Sequence, residues 1–118
     1  MKNVLGTPLR ECSTKPLAGF FRDGFCHTCR EDRASHTVCA EMSEAFLAFT
    51  QSRGNDLTSP EPQYDFPGLK AGDRWCLCAG RWLEAEQAGC APPVNLLATH
   101  EQALKLIPLA LLKLYATA

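Results

Sequence analysis

The stretch HTVCAEMSEAFLAFTQSRG, residues 36–54, contains the two patterns that decide the fold. In residues 36–42 apolar and polar side chains alternate, and an alternation of this kind predicts a β-strand. Ser43 then stands where a helix N-cap is expected, and the apolar residues after it recur at helical spacing as far as Arg53, before Gly54 at the stop position. A strand followed at once by a helix indicates a domain that mixes the two.

The same order recurs further along the chain. Residues 74–79, RWCLCA, predict a buried strand, and AGRWLEAEQAG, residues 79–89, predicts a short helix that stops at a glycine. Residues 94–98, VNLLA, predict another strand. Thr99 and Gln102 form a capping box that opens a final helix, and Pro108 can start a second helical piece.

Residues 1–35 differ from the rest, because turn-forming Gly and Pro residues interrupt short apolar bursts. Short strands and loops fit this composition better than a helix does. Residues 54–73 hold three prolines and three glycines and predict a long loop. The expected fold class is therefore α+β in two layers, with a small sheet, helices packed on one face and an irregular N-terminal third, in a single domain over residues 1–118.

Bulk composition limits the function classes. The chain has 118 residues and a net charge of −1, so it lacks the clustered positive charge by which proteins bind nucleic acid or an anionic membrane. Its start lacks the apolar stretch of a secretory signal, and its longest apolar run, residues 106–115, is too short to span a bilayer. We expect a cytoplasmic protein that binds neither nucleic acid nor membrane. The apolar stripe of the last helix predicts packing, and any exposed remainder is a candidate homodimer surface.

Several blocks of sequence together resemble a known family. They are NVLGTPL, FFRDGFC, HTVCAEM, SRGNDL, FPGLKAGDRWCLCA, RWLEA and AGCAPPVNLLATHEQAL. The chain resembles, from about Asn3 to about Leu112, the small bacterial and plastid family known as domain of unknown function 2237. This resemblance implies a compact α+β domain and supplies no activity. Cys29 and Cys90 depart from the family pattern, whereas the other cysteines, with His36 and His100, agree with it.

Seven cysteines are the most distinctive feature of the composition. Their number is odd and no export signal is seen, so the expected state is reduced thiols that pack, bind metal or react. For Cys76 and Cys78, which share one face of the predicted strand, core packing is the favoured interpretation.

Metal binding is the first chemical hypothesis, with zinc as the cofactor. The run CHTCREDRASHTVC supplies Cys26, Cys29, His36 and Cys39, which are ligands of the types that zinc uses. In a variant of this site, Cys76 or Cys78 from the neighbouring strand completes the set begun by Cys26, His36 and Cys39. Zinc would then fasten the irregular N-terminal third to the sheet.

A small thiol enzyme or redox protein is the second hypothesis. Cys39 and Cys76 are its nucleophile candidates, and His36 or His100 would supply the base, because a reactive cysteine needs a nearby base or cation. No local motif of a known thiol enzyme is present. The third hypothesis is a partner-binding domain in which all the cysteines are structural.

Overall fold

The computed structural model describes residues 1–117 and contains a two-stranded antiparallel sheet with three α-helices. The strands are β1, His36–Glu41, and β2, Arg74–Cys78. The helices are α1, Glu44–Ser52, α2, Ala79–Gln87, and α3, Leu109–Leu114. Single turns of 3₁₀-helix lie at Pro62–Tyr64, Leu96–Ala98 and Glu101–Lys105. The α+β prediction is confirmed.

Each strand leads directly into a helix, as the sequence predicts. After β1, the Ser43 hydroxyl accepts a hydrogen bond from the Phe46 N–H at 3.1 Å and so caps α1. After β2, Cys78 is the residue that precedes α2, with no residue between strand and helix. The end of β2 and the start of α2 are therefore one continuous segment, and Cys78 lies at their junction.

A β-bulge interrupts the pairing of the two strands near the start of β1. Cys39 pairs with Cys76 and Val38 with Leu77, but the next pair joins His36 to Cys78, so Thr37 is an extra residue in the ladder. In a regular ladder Thr37 would lie opposite Cys78. The bulge therefore places an imidazole opposite a thiol, and bulges often redirect a side chain in this way.

The main hydrophobic core lies between the sheet and the helices. Phe46 of α1, Trp82 of α2 and Leu112 of α3 are fully buried in it, together with Val38 and Leu77 of the strands. The Trp82 indole N–H donates to the carbonyl of Pro92 at 3.1 Å, so the one polar atom of this large side chain is satisfied. Helix α2 contacts both strands and α1, and it therefore fixes the position of its own N-terminus relative to the sheet.

The N-terminal third is irregular, as predicted, and has a separate small core. This second cluster contains four cysteines and two alanines, Cys12, Ala18, Cys26, Cys39, Cys76 and Ala98. At Gly19 the backbone has a φ of +101°, and a Cβ there would collide with the carbonyl oxygen of Phe25. Glycine is thus required where the segment turns back toward the cysteines.

The region after α2 differs from its prediction. In residues 94–98 only Val94 makes bridges, to Ala40 and Ala116, and the rest forms the 3₁₀ turn. Thr99 does not cap the next turn, because its hydroxyl accepts from the Cys39 N–H at 3.1 Å and donates to the Asn95 carbonyl at 2.8 Å. His100 caps it instead. Within residues 1–117, no helix combines the length and the apolar character needed to cross a bilayer.

Candidate functional site

Two disulfides connect the N-terminal third to the sheet. Cys12 is bonded to Cys39 of β1 and Cys26 to Cys76 of β2, with Cα–Cα separations of 5.7 and 5.3 Å. Cys39 and Cys76 are themselves direct partners across the two strands. The two bonds therefore lie side by side, and both join the same irregular segment to neighbouring positions of one sheet.

The four bonded sulfurs form one buried group. The Sγ atoms of Cys12, Cys26 and Cys39 all lie within 4.8 Å of one another, and the fourth sulfur, of Cys76, is bonded to Cys26. All four residues are at most 1% exposed. This oxidised arrangement differs from the expectation of reduced thiols, which rested on an odd cysteine count and on the absence of an export signal. Spacing along the chain contains no information about which sulfurs meet.

The structure divides the predicted site residues into two groups. Cys26, Cys39 and Cys76 come together in the disulfide cluster, joined by Cys12, which the predicted metal set omitted. As disulfide partners, Cys39 and Cys76 have no free thiol in this state. The other group is His36 with Cys78, which is one of three free cysteines in the described part of the chain, the others being Cys29 and Cys90.

His36 lies between a carboxylate and a thiol. Its Nδ1 is 2.6 Å from Oδ1 of Asp32, and across the sheet its register partner is Cys78. Side chains of directly paired strand residues have Cβ atoms about 4.5–5.5 Å apart, within reach of an imidazole and a thiol. With Nδ1 engaged by Asp32, Nε2 is the ring nitrogen available to Cys78. The order carboxylate, imidazole, thiol is that of cysteine enzymes that use a positioned base.

Asp32 is held rigidly in its place. Its side chain is completely buried, and its Oδ2 accepts hydrogen bonds from the His36 backbone N–H and the Thr28 hydroxyl, each at 2.9 Å. Burial opposes ionisation of this carboxyl, but the hydrogen bonds from His36 and Thr28 outweigh it and lower the pKa of Asp32. The carboxylate is therefore charged at neutral pH and has a fixed orientation toward the His36 ring.

His36 carries its proton at neutral pH. Its interaction with the Cys78 side chain is the largest influence and, with the Asp32 carboxylate, raises the pKa of His36 from 6.5 to about 9 against the opposing effect of burial. Because the folded pKa is the higher one, this stabilisation is complete below pH 6.5 and is lost as the pH rises through about 9. The His36 ring also stacks with the Phe20 ring. It borders a 390 Å³ cavity, and the other charged residues that line this cavity are Arg22, Asp56 and Glu61.

Cys78 opens into a different cavity, of about 460 Å³. Its side chain is half-buried, and it stands immediately before the N-terminus of α2, the electropositive end of that helix. The cavity also contains Arg33 and Arg81, with Glu84 as the single acidic group among its lining residues. Arg81 is held by the carbonyl of Arg53 at 3.1 Å and by Glu84 at 3.4 Å.

Comparison with protein families gives one match. Residues 2–116 match the model of a family described as an uncharacterized protein conserved in bacteria, DUF2237. The chain belongs to this family. No curated protein matches it. The predicted resemblance is thus confirmed over nearly the whole sequence, and the chemistry of this DUF2237 member has to be inferred from its own geometry.

His100, the second predicted base, has a capping role in this DUF2237 chain. Its Nδ1 accepts from the Gln102 N–H at 3.0 Å, and its backbone N–H donates to the carbonyl of Thr37 at 2.9 Å. Burial lowers the pKa of His100. It is therefore a neutral imidazole with one nitrogen already occupied, and it connects the C-terminal segment to the bulge of β1.

Proposed function

We propose that the chain is a small thiol-dependent enzyme in which Cys78 is the nucleophile, His36 carries the proton and Asp32 positions His36. One observation carries the proposal: the bulge at Thr37 puts the Asp32-bonded imidazole directly opposite a free, half-buried cysteine. Packing alone does not require a β-bulge, a buried carboxylate on the imidazole and a helix N-terminus to coincide at one free thiol.

In the proposed mechanism, the proton that Nε2 of His36 carries at neutral pH is the one that Sγ of Cys78 has given up. Asp32 accepts the Nδ1–H bond throughout and stabilises the imidazolium, which lies opposite Cys78 across the sheet. The thiolate then attacks an electrophilic atom of the substrate, a covalent bond to sulfur forms, and the departing group takes the proton from Nε2. Breakdown of the adduct by a second nucleophile, water or a thiol, restores the free Cys78.

The residues that line the cavity beside Cys78 favour the binding of an anionic substrate. Arg33 and Arg81 both line it, and guanidinium groups suit carboxylate and other oxyanions through paired hydrogen bonds. The second hypothesis from the sequence is thus retained with a different nucleophile. A cytoplasmic location, a homodimer and the absence of nucleic-acid partners stay predictions.

The first test is selective alkylation of the native protein. At pH 7, iodoacetamide is expected to modify Cys78 at least tenfold faster than Cys29 or Cys90, because an ordinary thiol is only about 3% ionised there. Peptide mass spectrometry after short exposures measures the three rates. Cys29 and Cys90 are likewise half-buried, so they control for access. Equal rates at the three thiols would contradict the proposal.

A pair of reagents tests the anionic substrate. Iodoacetate carries a negative charge and iodoacetamide none, so their relative rates at Cys78 report the local field. In the Arg33→Ala variant we expect the iodoacetate rate to fall about threefold to tenfold, with the iodoacetamide rate nearly unchanged. Arg30→Ala, which removes a nearby charge outside the Cys78 cavity, is the matched control. A parallel fall with both reagents would instead indicate a change in the thiol itself.

A further inference from the structure

The two disulfides lie closer together than is needed to join the N-terminal segment to the sheet. Three sulfurs lie within 4.8 Å of one another and a fourth is bonded to one of them, so each disulfide is in contact range of the other. Two separate disulfides would hold the N-terminal segment equally well from distant positions on the sheet. Three sulfurs gathered at one point, with the fourth bonded to one of them, are a feature that the joining role does not explain.

Tetrahedral zinc requires nearly the same arrangement. With Zn–S bonds of about 2.3 Å, the sulfurs of a four-cysteine site are about 3.8 Å apart. After reduction, the sulfurs of each bonded pair would separate by roughly 2 Å, and the sulfurs of Cys12, Cys26 and Cys39 already lie within 4.8 Å of one another. Two of the ligands, Cys39 and Cys76, are already fixed as neighbours across the sheet. The cluster also contains the small side chains of Ala18 and Ala98, and Trp75 packs against it.

The surroundings also favour a metal over free thiols once the disulfides are reduced. The four residues are at most 1% exposed, so water does not solvate their sulfurs. Four buried thiols in contact with one another would have few hydrogen-bond partners, whereas one thiophilic cation would bind all four sulfurs.

We infer that Cys12, Cys26, Cys39 and Cys76 form a zinc site when they are reduced, and that zinc binding and disulfide bonding are alternative states of the same four sulfurs. Two molecules of a dithiol reductant supply the four electrons and four protons that convert both disulfides to thiols. Zn²⁺ then displaces the thiol protons. Four-electron oxidation, by two molecules of a small disulfide, re-forms both bonds and releases the ion. His36 and Cys78 are not ligands of this site, so the inference does not rest on the proposed chemistry at Cys78.

The experiment uses a variant that keeps only the cluster cysteines, Cys29→Ser, Cys78→Ser and Cys90→Ser combined. It is reduced with a phosphine, titrated with Co²⁺ under argon and then with Zn²⁺. We expect one equivalent of Co²⁺ with the intense visible spectrum of tetrahedral thiolate coordination, displaced by one equivalent of Zn²⁺. The same protein left oxidised should bind less than a tenth of an equivalent.

Two further variants distinguish this site from unspecific binding by a reduced chain. Adding Cys12→Ser and Cys39→Ser should abolish the tetrahedral spectrum, whereas adding His36→Asn should leave it unchanged. Because the reduced protein can lose its fold, the near-ultraviolet circular dichroism of its two tryptophans, of which Trp75 packs on the cluster, is recorded during the titration. Recovery of this signal at one equivalent of zinc supports the inference. Less than a tenth of an equivalent bound, or binding that is unaffected by loss of Cys12 and Cys39, overturns it.

Discussion

Replacing Cys26 and Cys76 together by alanine is expected to lower the free energy of unfolding by about 4 kcal/mol. This disulfide closes a loop with a sequence separation of 50, and a cross-link stabilises mainly by reducing the conformational entropy of the unfolded chain. Domains of this size have a total stability of roughly 5–15 kcal/mol, so the loss is a large fraction of it. Guanidinium unfolding followed by fluorescence in oxidising buffer measures the change.

Two controls show whether the cross-link itself is responsible. The Cys12→Ala and Cys39→Ala double variant removes a bond with a sequence separation of 27 and should lose about 0.5 kcal/mol less, because loop entropy depends on the logarithm of length. Cys29→Ala with Cys90→Ala removes no bond and should change stability by less than about 1 kcal/mol. In reducing buffer without metal, the wild type loses both bonds and should be less stable than either disulfide variant in oxidising buffer. An unfolding midpoint unaffected by reduction would refute the disulfide assignment.

Replacing His36 by asparagine is expected to lower the rate of Cys78 alkylation at pH 7 by roughly ten- to thirtyfold. Asparagine can retain a hydrogen bond to Asp32 but cannot take the proton of the thiol. The difference from wild type should narrow above pH 9, where His36 loses its proton and an ordinary thiol is itself largely ionised. Rates of iodoacetamide modification from pH 6 to pH 10 measure the effect.

The matched controls for this prediction are substitutions of Asp32, which contacts His36, and of His100. Asp32→Asn should reduce the rate at pH 7, though less than His36→Asn does, because the imidazolium loses its negative partner and the pKa of His36 falls. His100→Asn should leave the rate unchanged, since that ring caps a 3₁₀ turn and is engaged by Gln102. If His36→Asn and wild type react at the same rate at pH 7, His36 has no part in activating the thiol.

Much of the fold follows from local patterns. The alternation before Ser43 and the helical spacing after it predicted β1 and α1 to within a residue or two, and the break at Pro108 predicted a separate last helix. The mistaken strand at residues 94–98 and the mistaken cap at Thr99 have a common cause. Thr99 forms hydrogen bonds to the backbone of β1 and of Asn95, and such tertiary contacts outweigh a local capping preference.

The site was predictable only in part. His36, Cys78 and three of the four clustered cysteines were recognised by residue type and by their agreement with the family pattern. Their partners were not, because the pairing of His36 with Cys78 depends on one extra residue in β1, which no spacing rule reveals. Asp32 was overlooked because, in sequence, it is one of several acidic residues next to an arginine. Its position four residues before His36 is the signal that could have identified it.

The two disulfides fix both ends of the segment that contains Asp32. Cys26 fixes one end of it to β2, and Cys39 lies in β1 at the other end, so the loop between them is closed by covalent bonds on both sides. Few conformations are open to a loop tethered in this way. Breaking the Cys26–Cys76 bond would release one end of this loop. The Asp32 carboxylate, which now contacts Nδ1 of His36, would then adopt many orientations. The oxidation state of the buried sulfurs would thereby govern how well the Asp32 carboxylate and the His36 ring stay aligned.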